Sequence, residues 1–375
     1  MMKTKVVEFI GRLQDGGAEM LVKDYCLLLD KELFDVEVLC EDYVETSAVY
    51  KTLKQNGIPI TAVYKPSFFI NKVLARLLGK KYVAILIGKA IRKLKPDVMH
   101  VHLEMLEILY HARDCLDGIR LLFTCHNPPQ MLIGDQRPGE RDACRYLIDH
   151  NGLQIIALHP EMAKEINEMF NVDNTAVIRN GVDFDKFRNI TKTKAEIREG
   201  LGIPENAYVV GHVGRFAYQK NAEFTLRVFR ELLKKRSDAY LLLIGRGKQE
   251  NELRQLIKDY QIEDKVKMLV GRDDVPELMK AMDVFVLPSR FEGLGIVVIE
   301  AQVSGLPCVV SDNVPEEAYQ TPRITRLSLD EEIDVWVDAL LDPKGNIETY
   351  GNLDDYDMRK EIRNLEKLYL KKISS

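Results

Sequence analysis

Short apolar, β-rich runs alternate with stretches of helical periodicity along almost the whole chain. An unbroken apolar run of a few residues reads as a strand covered on both faces. Apolar positions recurring every third and fourth residue read as a helix with one buried side. The first pattern predicts strands at Val6–Ile10, Val36–Leu39, Ile60–Val63, Val98–Val101, Leu121–Thr124 and Gln154–Leu158. It recurs at Val209–Val213, Leu241–Ile244, Val266–Leu269, Val284–Leu287 and Cys308–Val310. The second pattern predicts helices at Ala18–Leu29, Ala48–Gln55 and Pro160–Met169, then at Phe224–Lys235, Glu250–Tyr260, Val275–Ala281 and Val297–Ser304.

Continuous apolar strands separated by helices imply parallel sheets with both faces covered, an α/β architecture. The alternation weakens between Asn180 and Asn206, where the chain turns polar, and this is the expected domain junction. The expected organisation is two doubly wound, Rossmann-like domains facing each other across a cleft. They take residues 1–180 and 181–355, followed by a helix-like segment over 356–375. That segment has apolar positions at Met358, Ile362, Leu365 and Leu368–Tyr369. The pattern leaves open whether it caps the second domain or crosses back to the first. Ligands of doubly wound sheets bind beyond the carboxyl ends of the strands, so the loops there are the place to look for chemistry.

Composition narrows the class. With 375 residues, 46% of them apolar and 30% charged, the chain has the make-up of a globular protein with room for two cores. The net charge of −5 excludes a basic nucleic-acid binder as a whole. No stretch approaches eighteen apolar residues, so no transmembrane span is expected. The opening MMKTKVVEFIGRL reads as a buried strand without a small-residue cleavage site, so no signal peptide is expected. The six cysteines (Cys26, Cys40, Cys115, Cys125, Cys144, Cys308) are scattered and form no CxxC pair. Neither a disulfide framework nor a zinc site is expected, and a reducing, cytoplasmic location is the expectation. Charge is uneven, however: residues 66–96 carry eight Lys or Arg and no acidic residue. Their helical spacing suits either core-facing helices with a solvated basic side or a surface for anionic membrane. Gly79 and Gly88 speak against one unbroken helix there.

Several strand-end loops hold candidate chemistry. In RLQDGGAEM, Gly16 and Gly17 precede a helix whose first N–H groups are bare, a turn or an anion site. The spacing is not that of the GxGxxG dinucleotide fingerprint. In LLFTCHNPP, His126 ends a strand, either facing a ligand or bonded within a proline-stiffened loop. His100 and His102 end another strand, two apart and on one face. No carboxylate or Cys follows them at ligand spacing, so no metal is expected. In VVGHVGRFAYQKNAEF, Arg215 and Lys220 bracket a strand-to-helix loop and can together hold an anion. Gly245 and Gly247 end the next strand and permit close backbone approach. Finally, SRFEGLGIVVIEAQVSGLPCVVSD sets Glu292 before the bare N–H groups of Leu294, Gly295 and Ile296, and Glu300 about a turn into the helix. Two carboxylates pressed on a phosphate would repel it. Bound to hydroxyls on either side of it, they leave the helix end to the phosphate, which describes a sugar nucleotide. A capping or salt-bridging pair is the plainer alternative.

These stretches resemble the retaining family 4 glycosyltransferases of the GT-B fold. The resemblance rests on RNGVDFDKF (Arg179–Phe187), GRFAYQKN (Gly214–Asn221), LLIGRG (Leu242–Gly247) and, most specifically, the E-x7-E element from Glu292 to Glu300 with its flanks. It extends to the GGAE turn and the strand-end His126, and so over nearly the whole chain. The wording EGLGIVVIEAQVSGLPCVVSDN is most similar to the bacterial branch that builds capsule, exopolysaccharide or O-antigen. Residues 320–375 show little family signature, and Leu294 stands where many relatives carry Phe or another residue. The resemblance implies transfer of a hexosyl or N-acetylhexosaminyl group from a nucleotide-sugar donor, with UDP the expected nucleotide. The acceptor it implies is a glycan, lipid-linked, met at the inner face of the plasma membrane. By the same resemblance Glu300 holds the ribose hydroxyls, Glu292 the transferred sugar, and Arg215 and Lys220 the diphosphate. Backbone at Gly16, Gly17, Gly245, Gly293, Leu294 and Gly295 approaches phosphate and sugar, and His126 lies near the reacting sugar. No DxD-type metal motif stands in the usual context, so metal-independent transfer is expected. A GT-B sugar-nucleotide epimerase, or a nucleotide-sugar binding protein without turnover, are the alternatives.

Overall fold

The computed structural model describes residues 3–64 and 79–371. The chain separates into two compact units, Met1–Asn180 with Arg359–Ser375, and Gly181–Met358. In the first unit the described strands are β1 (Thr4–Leu13), β2 (Phe34–Tyr43), β3 (Ile60–Ala62), β4 (Val98–His102), β5 (Arg120–Thr124), β6 (Gln154–Ala157) and β7 (Ala176–Val177). They form one parallel sheet in the order β3-β2-β1-β4-β5-β6-β7. The second unit holds β8 (Tyr208–Val213), β9 (Ala239–Gly245), β10 (Val266–Val270), β11 (Val284–Leu287), β12 (Cys308–Ser311) and β13 (Ile324–Leu327). These are parallel too, in the order β10-β9-β8-β11-β12-β13.

Each sheet reverses its order once. In the first unit this happens between β1 and β4, in the second between β8 and β11. At such a switch point two successive connections leave for opposite faces of the sheet and open a crevice at the carboxyl ends. The loops after β8 and β11 therefore flank one crevice, and those after β1 and β4 another.

The strands the apolar runs predict are all present within a residue or a few at the ends. Two were not legible. β7 is only two residues long, and β13 (ITRL) mixes polar and apolar positions at the sheet edge. The helix Pro138–Asn151 also escaped the pattern. It buries a stripe of Glu140, Ala143, Cys144 and Leu147, one member of which is a carboxylate. Glu140 is retained there by accepting hydrogen bonds from the backbone N–H groups of Leu106 and Glu107.

Of the basic stretch, residues 66–78 lie outside the described residues. The rest forms the helix Lys80–Leu94, with Gly79 at its start in the left-handed region at φ 68°. Gly88 does not break it. Its face packs where a Cβ would come within 3.1 Å of Cys115 Sγ, so local propensity yields to packing. All six cysteines are free, and all but Cys115 are buried.

The chain leaves the second unit beside the point where it entered. Val182 N–H donates to the Tyr356 carbonyl at 2.7 Å and Met358 N–H to the Val182 carbonyl at 3.0 Å. Gly181 is required there, because a Cβ would meet Met358 Cα at 2.5 Å. The helix Met358–Leu370 then packs on the first unit, burying Ile362, Leu365, Leu368 and Tyr369. Glu361 accepts from Arg179 N–H at 2.7 Å and Glu366 from Asp30 N–H at 2.8 Å. Leu365 is fully buried. Leu365→Ala should therefore cost about 2–5 kcal/mol of stability, measured by denaturant unfolding of the full chain. A change within experimental error would show that this helix is not part of the core.

Candidate functional site

In the second unit, β11 ends at Leu287, and Pro288 and the loop Ser289–Gly295 lead into the helix Ile296–Val303. Gly295 has φ 80°, a left-handed turn in which an L side chain is strained. The loop folds back on itself through Glu292, whose Oε1 accepts from Ser289 Oγ at 2.5 Å and from Lys220 Nζ at 2.6 Å. The side chains of Lys220 and Glu292 are only 13% and 5% exposed. A buried ion pair of this kind holds together because removing either partner leaves an uncompensated charge.

Four more contacts lace the loop after β8 to the loop after β11. Arg290 N–H donates to the Gln219 carbonyl at 2.8 Å, and its guanidinium donates to the Tyr218 carbonyl at 2.7 Å. The same guanidinium stacks over the Tyr218 ring at 4.0 Å. Gln219 Nε2 donates to the Phe291 carbonyl at 3.1 Å, and Gln219 Oε1 accepts from Arg215 at 3.1 Å. Arg215 itself is exposed, and Glu300 is partly exposed on the helix. Lys220 and Glu292 thus meet at the switch point, and Arg215 is tied to the same loop through Gln219. Ser289, Tyr218, Gln219 and Arg290 hold them there. A neutral polar residue in a loop breaks no pattern, so Gln219 and Ser289 carry no sequence signal.

The glycines divide in role. A Cβ on Gly245 would sit 1.9 Å from the Gly214 carbonyl oxygen, and one on Gly247 would sit 2.2 Å from that of Phe216. The close approach they permit is to the chain's own backbone. Gly293 is exposed, whereas Leu294 places its side chain in the core and leaves only backbone to the loop. In the first unit, Gly16 precedes the helix Gly17–Leu28 in extended conformation. Its missing side chain makes room for Glu19, whose carboxylate would be 2.3 Å from a Cβ. Glu19 brings a negative charge to the positive end of that helix. Gly17 is exposed, with nothing within 4 Å of a Cβ.

The strand-end histidines of the first unit join a buried network that the spacing did not reveal. The carboxylate sought near His100 and His102 comes from β1: Glu8 Oε2 lies 2.8 Å from His102 Nε2 and 3.3 Å from His100 Nδ1. His102 Nδ1 contacts His126 Nε2 at 2.9 Å. His100 contacts Thr124 Oγ1 and Tyr369 Oη, each at 2.7 Å, and Tyr369 donates to Glu8 Oε1 at 2.8 Å. One ligand atom each of Glu8, His100 and His102 lies within 4.8 Å of the others, a spacing open to a metal ion. Every one of these atoms already has a hydrogen-bond partner in the network.

Burial pushes the Glu8 carboxyl up, but the charge and hydrogen bonds of His100 and His102 outweigh it and hold it at about 2. Burial, with His100 beside it, lowers His102 to about 4 against the pull of Glu8. Burial and the neighbouring His102 and His100 take His126 well below its ordinary value. In the second unit, burial and then Lys220 lower His212 to about 3, and its Nδ1 contacts Thr225 Oγ1 at 2.9 Å.

Two parallel α/β sheets, each with its own switch-point loops, are the architecture of the GT-B fold. Residues 15–186 match the family model described as Glycosyltransferase Family 4, and residues 193–341 match that of Glycosyl transferases group 1. The first model covers mainly the first unit and the second lies within the second unit, and between them they take in most of the chain. Among curated relatives, EpsF of Bacillus subtilis (strain 168), a glycosyltransferase by provisional name, is 32% identical over 199 residues, 52% of each chain. The Escherichia coli UDP-Gal:alpha-D-GlcNAc-diphosphoundecaprenol alpha-1,3-galactosyltransferase is 28% identical over 301 residues, 76% of this chain and 73% of its own. The chain thus spans about half the length of the first and about three quarters of the second. Anabaena Alr3699/HepE, solved in complex with UDP and glucose, superposes with a TM-score of 0.69 at 19% identity, over 99% of this chain and 96% of its own.

The histidines set a pH dependence. His102 and His212 titrate near 6.5 when unfolded and at about 4 and about 3 when folded. The unfolded state therefore binds protons first as the pH falls, and stability present above about 6.5 is lost towards pH 4. Displacements of this size correspond to roughly 3–5 kcal/mol per histidine. Thermal unfolding midpoints should fall steadily between pH 7 and pH 4. A flat profile would show that these rings are not held neutral.

Proposed function

We propose that the protein is a retaining glycosyltransferase that moves a sugar from a UDP-linked donor to a lipid-linked glycan acceptor, in building a bacterial surface polysaccharide. The observation that carries this reading is the buried pair of Lys220 and Glu292 at the β8/β11 switch point, ahead of a helix N-terminus and with Arg215 on the same loop. The complex of HepE with UDP and glucose and the name of the E. coli relative support the choice of UDP-sugar and lipid-diphosphate acceptor.

Breaking the bond from the anomeric carbon to the diphosphate builds positive charge on the sugar and negative charge on the leaving group. Arg215, Lys220 and the helix end offer fixed positive potential to that leaving group. Without donor, Lys220 is neutralised by Glu292. A ligand that carries both phosphate and sugar hydroxyls replaces the two halves of this pair at once: phosphate on Lys220, hydroxyls on Glu292. Neither half alone does so without stranding a charge. Glu300 takes the ribose hydroxyls. No step in this scheme uses a divalent metal.

Calorimetry with UDP should show Glu300→Ala weakening binding by about tenfold or more, the loss of a bidentate hydroxyl contact. Arg215→Ala should bind UDP-sugar but turn over about 10²-fold more slowly. If neither variant differed from the parent towards any UDP-, GDP-, ADP- or dTDP-sugar, the donor-site reading would fail.

Among the described residues, no helix is long and apolar enough to cross a membrane. The helix Lys80–Leu94 instead exposes Lys81, Lys89, Arg92 and Lys93 around Ile85, itself 56% exposed. This side suits a peripheral contact with anionic lipid at the inner face of the plasma membrane. A Lys81→Glu/Lys89→Glu/Arg92→Glu variant should lose about 100-fold or more in affinity for anionic vesicles, at roughly 1 kcal/mol per basic residue. Equal sedimentation of the parent with neutral and anionic vesicles would refute the contact.

A further inference from the structure

The buried network of the first unit admits one assignment of protons along each of its two arms. Glu8, held at about 2, is a carboxylate, and both of its oxygens can only accept. Along one arm, Oε2 accepts from His102 Nε2. His102 is neutral at ordinary pH, so a proton on Nε2 leaves a lone pair on Nδ1. The 2.9 Å contact between His102 Nδ1 and His126 Nε2 must then take its proton from His126. His126 is neutral as well, which leaves its own Nδ1 as a lone pair. Among the described residues nothing donates to that atom.

Along the other arm, Tyr369 commits its proton to Glu8 Oε1. The contact between Tyr369 Oη and His100 Nδ1 is therefore a donation from His100. Tyr25 stacks on the His100 ring at 5.8 Å and closes the network from the first helix. Tyr369 closes it from the last.

We propose that Glu8 and His102 are positioning residues that fix the tautomer of His126, with its proton on Nε2 and its lone pair on Nδ1, so that this ring accepts a hydrogen bond from a sugar hydroxyl and does not donate a proton. The identity of that hydroxyl rests on the glycosyltransferase reading. The tautomer does not. A metal ion held by Glu8, His100 and His102 is the rival arrangement. It needs lone pairs on His102 Nε2 and His100 Nδ1, the two atoms that donate here, so the two arrangements exclude each other.

Long-range 1H–15N spectra of the full chain, labelled with [15N]histidine and assigned by loss of signals in His126→Asn, read the tautomer directly. The expected result is a protonated shift at His126 Nε2 and an unprotonated one at Nδ1. Glu8→Gln, whose amide can accept or donate, should bring the two His126 shifts towards each other through exchange. In a coupled assay it should lower kcat about tenfold or more, with the donor KM within twofold. Tyr369→Phe leaves the His102 arm intact and should keep the parent tautomer.

Protonation of Nδ1 in the parent chain would overturn the proposal, and so would a Glu8→Gln spectrum identical to the parent's. One equivalent of zinc or cobalt retained by the parent and lost in Glu8→Gln would install the metal site in its place. Should Glu8→Gln not fold, the parent spectrum and Tyr369→Phe decide. Should no nucleotide sugar turn over, the function reading fails while the tautomer stands or falls by its own spectrum.

Discussion

Parallel strands cannot be joined by a tight turn, and every strand of both sheets is parallel to its neighbours. Each connection must leave at the carboxyl end of one strand and travel back, mostly through a helix, before the next strand begins. All strand-to-helix loops of a unit are thereby collected on one edge of its sheet. Where the strand order reverses, two of those loops are splayed to opposite faces and a crevice lies between them. The pairing of β8 with β11 brings residues 214–220 beside residues 289–295, although more than sixty positions of chain separate them. The pairing of β1 with β4, and of β4 with β5, likewise brings Glu8, His102 and Thr124 together.

Both crevices are then shaped by buried ionisable groups. A charge taken out of water is tolerated only when it is paired and fully hydrogen-bonded. Lys220 and Glu292 satisfy each other, with Ser289 adding a second donor. Glu8 is satisfied by His102 and Tyr369 on its two oxygens. The first arrangement is closed on itself, with the two charges and the Ser289 hydroxyl satisfying one another. The second is closed on itself except at His126, so whatever it does is expressed through that ring. The helix Met358–Leu370 supplies Tyr369, which makes the return of the chain to the first unit a condition for completing the network.

Much of the fold was legible because burial on both faces of a parallel sheet forces runs such as VVEFI, LLLI and VFVL, whose continuity is hard to mistake. The strand-to-helix loops that hold the glycines and Glu292 were equally plain, since loops at strand ends tolerate little ambiguity of place. What escaped did so for definite reasons. β13 and the helix Pro138–Asn151 carry polar residues on sides that the structure satisfies by distant hydrogen bonds. Gly88 looked like a helix breaker and is a packing residue. Gly245 and Gly247 were read as allowing close backbone approach, and in the structure they accommodate the backbone of Gly214 and Phe216.

The sequence by itself determined the two parallel α/β sheets, the succession of their main strands and the loops in which cations, carboxylates and glycines are set. These follow from interactions among residues close along the chain: period, propensity and turn chemistry. Only the tertiary structure decided that Lys220 is paired with Glu292, that Glu8 is the carboxylate of His102, and that Tyr369 returns to join them. Hydrogen bonds and ion pairs act over a few ångströms, and which residues come that near is set by strand order. No local pattern encodes it.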